Sequence, residues 1–458
     1  MNSQKTDSGN KFPYSTILIG IILLSALFKI ALLYDFNYLP LIGDEYRYWR
    51  KAINSVYYYF DHLDYQGPLY PIFLGLNRIL FGDNALLIVR IEQILLHSLE
   101  IYLLYLLARF YFSEKSAFFS GIIASIYLEL FSYSYLLFSE ILFLLFFLSS
   151  VFFYFLALKK TGFTGLKSII ASGFLFGLSC LVRSVNFLFF PLILLHLLVF
   201  KKDRLKNRLI FSAVFALAMF APISIQTAKN YRIAHCPLLI DTCADTNFYR
   251  SHNLGMPPHY DFREYRGPQK FSRKGCVEQN ICLRIRCELN NAMKFVLANP
   301  RVSIYRAGIK IIDLYTPNLY IYRNIFREDP YPLITEEQPG ERAHLDKYKG
   351  KWFRIFGSGG YLILMLLAML GLFSVKEWEL RSLTLALILY HTAVGAVFFT
   401  VSRYRIPFIP FLIIYAGAFL GMKRSELKDL KKWKWLTALM LWLLLFILTF
   451  PRLQSILR

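Results

Sequence analysis

About eleven apolar stretches, each near the length that crosses a bilayer, constrain this chain more than any other feature. A helix rising 1.5 Å per residue needs about 20 apolar residues to cross a 30 Å hydrocarbon core. The stretches run from Ser15 to Tyr34, Ala85 to Ala108, Ala117 to Leu136, Ile141 to Leu158, Ser168 to Leu181, Asn186 to Phe200, Leu209 to Ile225, Phe356 to Phe373, Leu380 to Val401, Ile406 to Gly421 and Trp435 to Phe450. Composition agrees. Hydrophobic residues make up 56% of the 458, aromatic residues 17%, and charged residues only 18%. That is too little charge to cover the surfaces of two or three soluble domains, and too many aromatics and aliphatics for a disordered chain. The fold class predicted is an all-α polytopic membrane protein. The first stretch does not read as a cleavable signal, because its apolar core is too long and no small-residue site follows it.

A formal charge of +22, from 52 Lys+Arg against 30 Asp+Glu, raises nucleic acid as a partner until the cations are located. They concentrate in alternate links: Arg109–Lys115, Lys159–Lys167, Lys201–Arg208, Lys376–Arg381 and Lys423–Lys434. This is the bias of cytoplasmic loops. The charge is membrane topology, and no nucleic-acid partner is expected. The amino terminus is then inside and the carboxyl terminus, Pro451–Arg458, outside.

Two outer segments are long, Asp35–Asn84 and Gln226–Ile355, which divides the chain into a transmembrane module over 1–225, a large outer loop over 226–355 and further spans over 356–458. The large loop holds Cys236, Cys243, Cys276, Cys282 and Cys287, five of the six cysteines. An oxidising compartment suits this clustering, and one or two disulfides are expected, with connectivity unreadable from spacing. No CxxC pair occurs and no zinc site is expected.

Asp44-Glu45 opens a stretch to Phe60 in which Tyr46, Trp49, Ile53, Val56 and Phe60 recur at helical steps, predicting an amphipathic helix in the outer interface. Asp44 fits either an N-cap or a general base that Arg47, one turn on, keeps ionised. Glu140, in the tight link after the third span, is either a membrane-edge functional carboxylate or a solvated one favoured by a helix amino terminus. Arg183, Arg403 and Arg405 stand at outer ends of spans, where cations are disfavoured. They suit either phosphate recognition or snorkelling to headgroups. Arg90, Glu92, His97 and Glu100 are expected to pair within the bundle. His62, His235, His252 and His259 lack ligand spacing.

These residues carry a resemblance. Gly43-Asp44-Glu45-Tyr46-Arg47-Tyr48-Trp49 resembles the signature that follows the first span in GT-C glycosyltransferases of the protein O-mannosyltransferase and lipid A aminoarabinose transferase type. Gly67-Pro68-Leu69-Tyr70-Pro71, Phe138-Ser139-Glu140, Leu181-Val182-Arg183-Ser184, Ala228-Lys229-Asn230-Tyr231 and Ser402-Arg403-Tyr404-Arg405-Ile406-Pro407 resemble later motifs in the same order. The resemblance implies a GT-C bundle with two outer loops. It also implies a polyprenyl-phosphate sugar as donor, an acceptor outside the membrane (lipid, glycan or protein), inverting transfer, and a bacterial inner membrane with the site on its outer face. By position, Asp44 would be the catalytic carboxylate, with Glu45 beside it and Glu140 a second acid. Arg47, Arg183, Arg403 and Arg405 would be candidates for the donor phosphate. Where some members carry Glu-Lys-Pro-Pro, this chain reads Tyr65-Gln66-Gly67-Pro68, so a metal ligand and a phosphate-binding lysine are missing and a divalent metal is not favoured. The competing reading is a transporter or flippase of lipid-linked sugars, against which stand the chain's asymmetry and its charges gathered at one face.

Overall fold

The computed structural model describes residues 13–36, 41, 43–253, 276, 280–320, 347–398, 400–428 and 431–457. His259 lies outside these residues. Among those described every regular element is helical, and eight helices are long and apolar enough to cross a membrane. The chain is a multi-pass membrane protein. Tyr14–Phe36 forms α1, and Asp44–Lys51 and Asn54–Tyr57 form α2 and α3 of the first outer segment. The amphipathic helix expected from Glu45 to Phe60 is therefore broken at Ala52-Ile53. The reason is packing. A Cβ on Gly75 of the next helix, α4 (Leu69–Phe81), would lie 2.2 Å from the Ala52 carbonyl oxygen, so the turn beds directly on that helix.

Helix α4 leads into α5 (Ala85–Arg109), and together they form a 41-residue apolar stretch that begins well before the predicted span at Ala85. The expected span Ala117–Leu136 is interrupted: α6 covers Glu114–Ile126, Tyr127 is extended at φ −66° and ψ 107°, and α7 covers Leu128–Tyr133. That break turns Glu129 into the protein, where it finds a guanidinium described below. Helices α8 (Glu140–Lys159), α9 (Gly162–Val182), α10 (Phe190–Phe200) and α11 (Leu205–Ala234) follow near their predicted positions. Ser150 and Ser172 bond reciprocally across α8 and α9, each hydroxyl donating to the other's carbonyl at 2.8 and 2.9 Å. Small residues at such contacts let helix backbones approach where no hydrophobic force drives them together.

The large outer loop contributes α12 (Cys243–Ser251), α13 (Ile281–Ala298) and α14 (Pro300–Tyr315), and the last part of the chain contributes α15 (Lys347–Ser374), α16 (Trp378–Val397), α17 (Ile409–Leu420), α18 (Arg424–Lys428) and α19 (Lys432–Leu457). Of the charges expected to pair within the bundle, His97 Nδ1 lies 3.1 Å from Glu100 Oε2, and Asn77 donates to Glu92 at 2.8 Å.

Two disulfides, Cys236–Cys282 and Cys276–Cys287, tie the end of α11 to α13 and close a short loop onto α13. Cys180 and Cys243 are unpaired. Each bridge removes unfolded-state freedom worth roughly 2–4 kcal/mol. Peptide mapping without reduction, on protein from native membranes, is expected to recover these two linkages with Cys243 as a free thiol. Recovery of all four bridged cysteines as thiols would place the loop in a reducing compartment.

Candidate active site

Asp44 begins α2, but it does not cap it. The N-cap is Gly43, at φ +56° in the left-handed region that glycine tolerates, and no side chain caps the helix. The carboxylate is left free to face two guanidiniums. Its Oδ1 lies 2.8 Å from Arg47 Nη2 and its Oδ2 2.8 Å from Arg403 Nη1. Arg403 belongs to the 3-10 turn Ser402–Arg405, just before Pro407. The same guanidinium grips Glu140 with a fork, Nη2 donating to Oε2 at 3.0 Å and Nε donating to Oε1. Arg183, in extended backbone just past α9, donates from Nη1 to that Oε1 as well. The Arg403 Cζ also sits 4.3 Å from the Phe138 ring centroid, a favourable seat for a cation.

Glu140 and Arg403 are 1% and 6% exposed. Burial opposes ionisation of Asp44, but the charges of Arg403 and Arg47, the hydrogen bond from Arg403, and the field of Arg183 prevail and hold its carboxyl below the usual carboxylate range. It is a paired carboxylate at neutral pH.

A cavity of about 460 Å³ opens beside this cluster. Its lining includes the polar Asp44, Tyr48, Arg183, Arg403 and Tyr404 and the apolar Val185, Phe187, Leu188, Leu238, Leu239 and Phe398. A second cavity, about 450 Å³, lies on the other side of Tyr48 and Gln66, with Arg47, Lys51, Asp61 and Asp64 in its wall. The first-loop turn is set directly on the end of α9: a Cβ on Gly67 would come within 2.5 Å of the Leu181 and Val182 carbonyl oxygens. A buried clamp holds the opposite wall. Lys229 pairs with Asp64, Gln226 donates to Asp64 at 3.0 Å and to the Ile240 carbonyl at 2.9 Å, and the Thr242 N–H donates to the Asp64 carbonyl at 3.1 Å.

The structure thus brings together Asp44, Glu140, Arg47, Arg183 and Arg403. It separates two other candidates from them. Glu45 is fully buried and accepts from the Leu137 N–H at 3.3 Å, away from the cavity lining. Arg405, also fully buried, donates to Glu129 from Nη2 at 2.9 Å and from Nε at 3.2 Å, donates to the Thr316 carbonyl, and lies 3.8 Å from the Tyr361 ring centroid. It joins α7 to the end of α14 and does not line the cavity at Asp44. Arg47 touches Asp44, but its side chain is 61% exposed and faces the second cavity.

Glu129, Asp64 and His391 were not singled out from sequence. Glu129 and His391 each stand as an ionisable residue inside a predicted span, which is a functional signal in itself. Asp64 carries no such mark. Among the described residues no three His, Cys, Asp or Glu side chains are grouped to hold a metal.

Residues 65–225 match the family model described as dolichyl-phosphate-mannose-protein mannosyltransferase. No curated protein sequence matches the chain. The archaeal oligosaccharyltransferase AglB from Archaeoglobus fulgidus, in complex with an inhibitory peptide and a dolichol-phosphate, superposes with a TM-score of 0.51 at 15% identity over 97% of this chain and 56% of that one. The apo form of the A. fulgidus oligosaccharyltransferase gives 0.53 at 13% identity over 98% of this chain and 56% of that one. This chain therefore spans little more than half the length of that enzyme. ArnT from Cupriavidus metallidurans gives a looser superposition, 0.39 at 11% identity over 89% of this chain and 76% of that one. The fold is of the GT-C type, as the sequence resemblance implies.

Breaking a buried ion pair by removing one charge costs about 3–5 kcal/mol. Glu129→Gln is expected to lower thermal stability in detergent by that order while leaving the Asp44 cluster intact in the protein that folds. An unchanged melting temperature would show that the Arg405 pair is not structural.

Proposed function

We propose that the protein is a glycosyltransferase that moves a sugar from a polyprenyl-phosphate donor to an acceptor hydroxyl, with inversion, at the outer face of the membrane. One observation carries the reading. Asp44 lines a cavity whose wall combines the guanidiniums of Arg183 and Arg403 with apolar residues such as Val185, Phe187, Leu188, Leu239 and Phe398. An amphiphile with a phosphate head and a hydrocarbon chain has that pattern, and guanidinium forks suit phosphate oxygens. The disulfides of the large loop support an outer, oxidising location. The bacterial inner membrane, and an acceptor of lipid, glycan or protein outside it, are what the family resemblance implies.

Asp44 accepts the acceptor's proton as its oxygen attacks the anomeric carbon. The bond from that carbon to the phosphate oxygen breaks, and Arg403 and Arg183 stabilise the phosphate that leaves. Glu140, with both oxygens held by these arginines, acts as the group that aims them rather than as a second acid. Arg47 touches the base and belongs with the acceptor side; Arg405 belongs to the scaffold.

A carboxylate held this low is a weak base while Arg403 Nη1 is paired with it. A donor phosphate that shares Arg403 withdraws part of that stabilisation and raises the basicity of Asp44 when the reaction needs it. Asp44→Asn keeps the size of the side chain and removes the proton acceptor, so transfer is expected to fall by about 10²–10⁴-fold with protein level unchanged. Near wild-type transfer by Asp44→Asn ends the proposal.

The sign of the pH dependence follows from the same pairing. The lowered carboxyl is ionised above the ordinary Asp range and loses its charge only as pH falls through its depressed value, so the acid limb of kcat/KM is expected below about pH 4. Arg403→Gln removes the largest stabilising charge and moves that limb upward. A limb that does not move in Arg403→Gln would show that Asp44 is not the group titrating.

A further inference from the structure

His391, on α16, lines the cavity that holds Arg183 and Arg403, and it is 2% exposed. The ring is held in place by Tyr390, edge-on at 5.2 Å, and by Phe408 at 6.2 Å. Among the described residues its Nε2 is buried without a hydrogen-bond partner. A polar group left in this state keeps its full desolvation cost unless something pairs with it. The helix around it is fixed against the Arg183 turn, since Tyr390 Oη donates to the Val185 carbonyl. His391, Val394, Gly395 and Phe398 follow at steps of three, one and three, which is one helical face, and all four line the cavity. His391 is the polar residue of that face and shares the cavity with Arg183 and Arg403.

A lipid phosphate in this cavity would set its head among the polar lining residues, Arg183, Arg403 and His391, and its chain against the apolar ones. Resting on the donor reading given above, we infer that His391 binds the phosphate of the polyprenyl-phosphate donor, its ring N–H donating to a phosphate oxygen beside Arg183. The histidine thereby contributes to donor affinity without taking part in the bond changes at the sugar.

The test measures equilibrium binding of polyprenyl phosphate, polyprenol and inorganic phosphate to the purified full chain in detergent micelles, for wild type, His391→Phe and His391→Gln. His391→Phe is expected to weaken polyprenyl phosphate about tenfold or more, the scale of a hydrogen bond to a charged group. Polyprenol binding stays unchanged, and His391→Gln restores part of the loss. In turnover, donor KM rises and acceptor KM does not. A 15N ring signal, assigned by its absence in His391→Gln, shifts when polyprenyl phosphate is added to wild type. Equal polyprenyl phosphate binding by His391→Phe and wild type overturns the inference, and so does an unperturbed ring signal should His391→Phe not fold. A loss seen only with the sugar-bearing donor assigns the residue to the sugar instead. Inorganic phosphate bound as tightly as the lipid overturns the lipid assignment. Failure of wild type to bind polyprenyl phosphate at all is a different result: it removes the donor reading itself.

Discussion

One guanidinium, that of Arg403 near the end of the chain, is shared between two carboxylates that both come from its first third. Asp44 is 359 positions away in sequence and Glu140 is 263. Unpaired charges in so dry a place are too costly to persist, so three segments must converge before any of these groups can be buried. Arg183 joins through Glu140, and the start of α2, the start of α8, the end of α9 and the turn before α17 are thereby fixed at one end of the bundle. In the cluster joined by direct contact, three guanidiniums (Arg47, Arg183, Arg403) face two carboxylates (Asp44, Glu140), a formal excess of one positive charge. A cavity bordering such an excess favours an anion.

The membrane spans were legible because the bilayer imposes a length and a composition on each of them. The order of the short motifs was legible too, and it named all five residues that meet in this cluster, Asp44, Arg47, Glu140, Arg183 and Arg403, before any geometry was known. What sequence left open at Asp44 was decided by its neighbour. Gly43 takes the cap position with a backbone that glycine tolerates, and the carboxylate is released to the arginines. Short sequence context cannot show this, since Gly and Asp are both good caps.

Arg403 and Arg405 show the other limit. They sit two apart in one motif and look equivalent as phosphate ligands. In a 3-10 turn, with three residues per turn, positions two apart point well away from each other. One guanidinium reaches Asp44 and Glu140 while the other reaches Glu129, a residue hidden in what reads as an unbroken span. The break at Tyr127 turns Glu129 toward that guanidinium, and hydropathy does not register it. The same holds for Asp64, which is unremarkable in sequence and forms with Lys229, a residue of the Ala228-Lys229-Asn230-Tyr231 motif, a buried clamp between the two outer segments.

On the proposed reaction, the resting pairing of Asp44 with Arg403 has a chemical consequence beyond shape. A free, basic carboxylate beside an open cavity would stay ready to activate water once a sugar was bound. Here the base and the phosphate compete for one guanidinium, so the strength of the base depends on where the phosphate lies. A donor seated with its phosphate against Arg403 and Arg183 raises the basicity of Asp44. One seated elsewhere leaves it quenched. Because Glu140 holds Arg403 through two nitrogens and Asp44 holds it through a third, the guanidinium can relinquish Asp44 without losing its place. The second carboxylate, fully enclosed and outside the cavity lining, thus keeps the cation in position while the first one works.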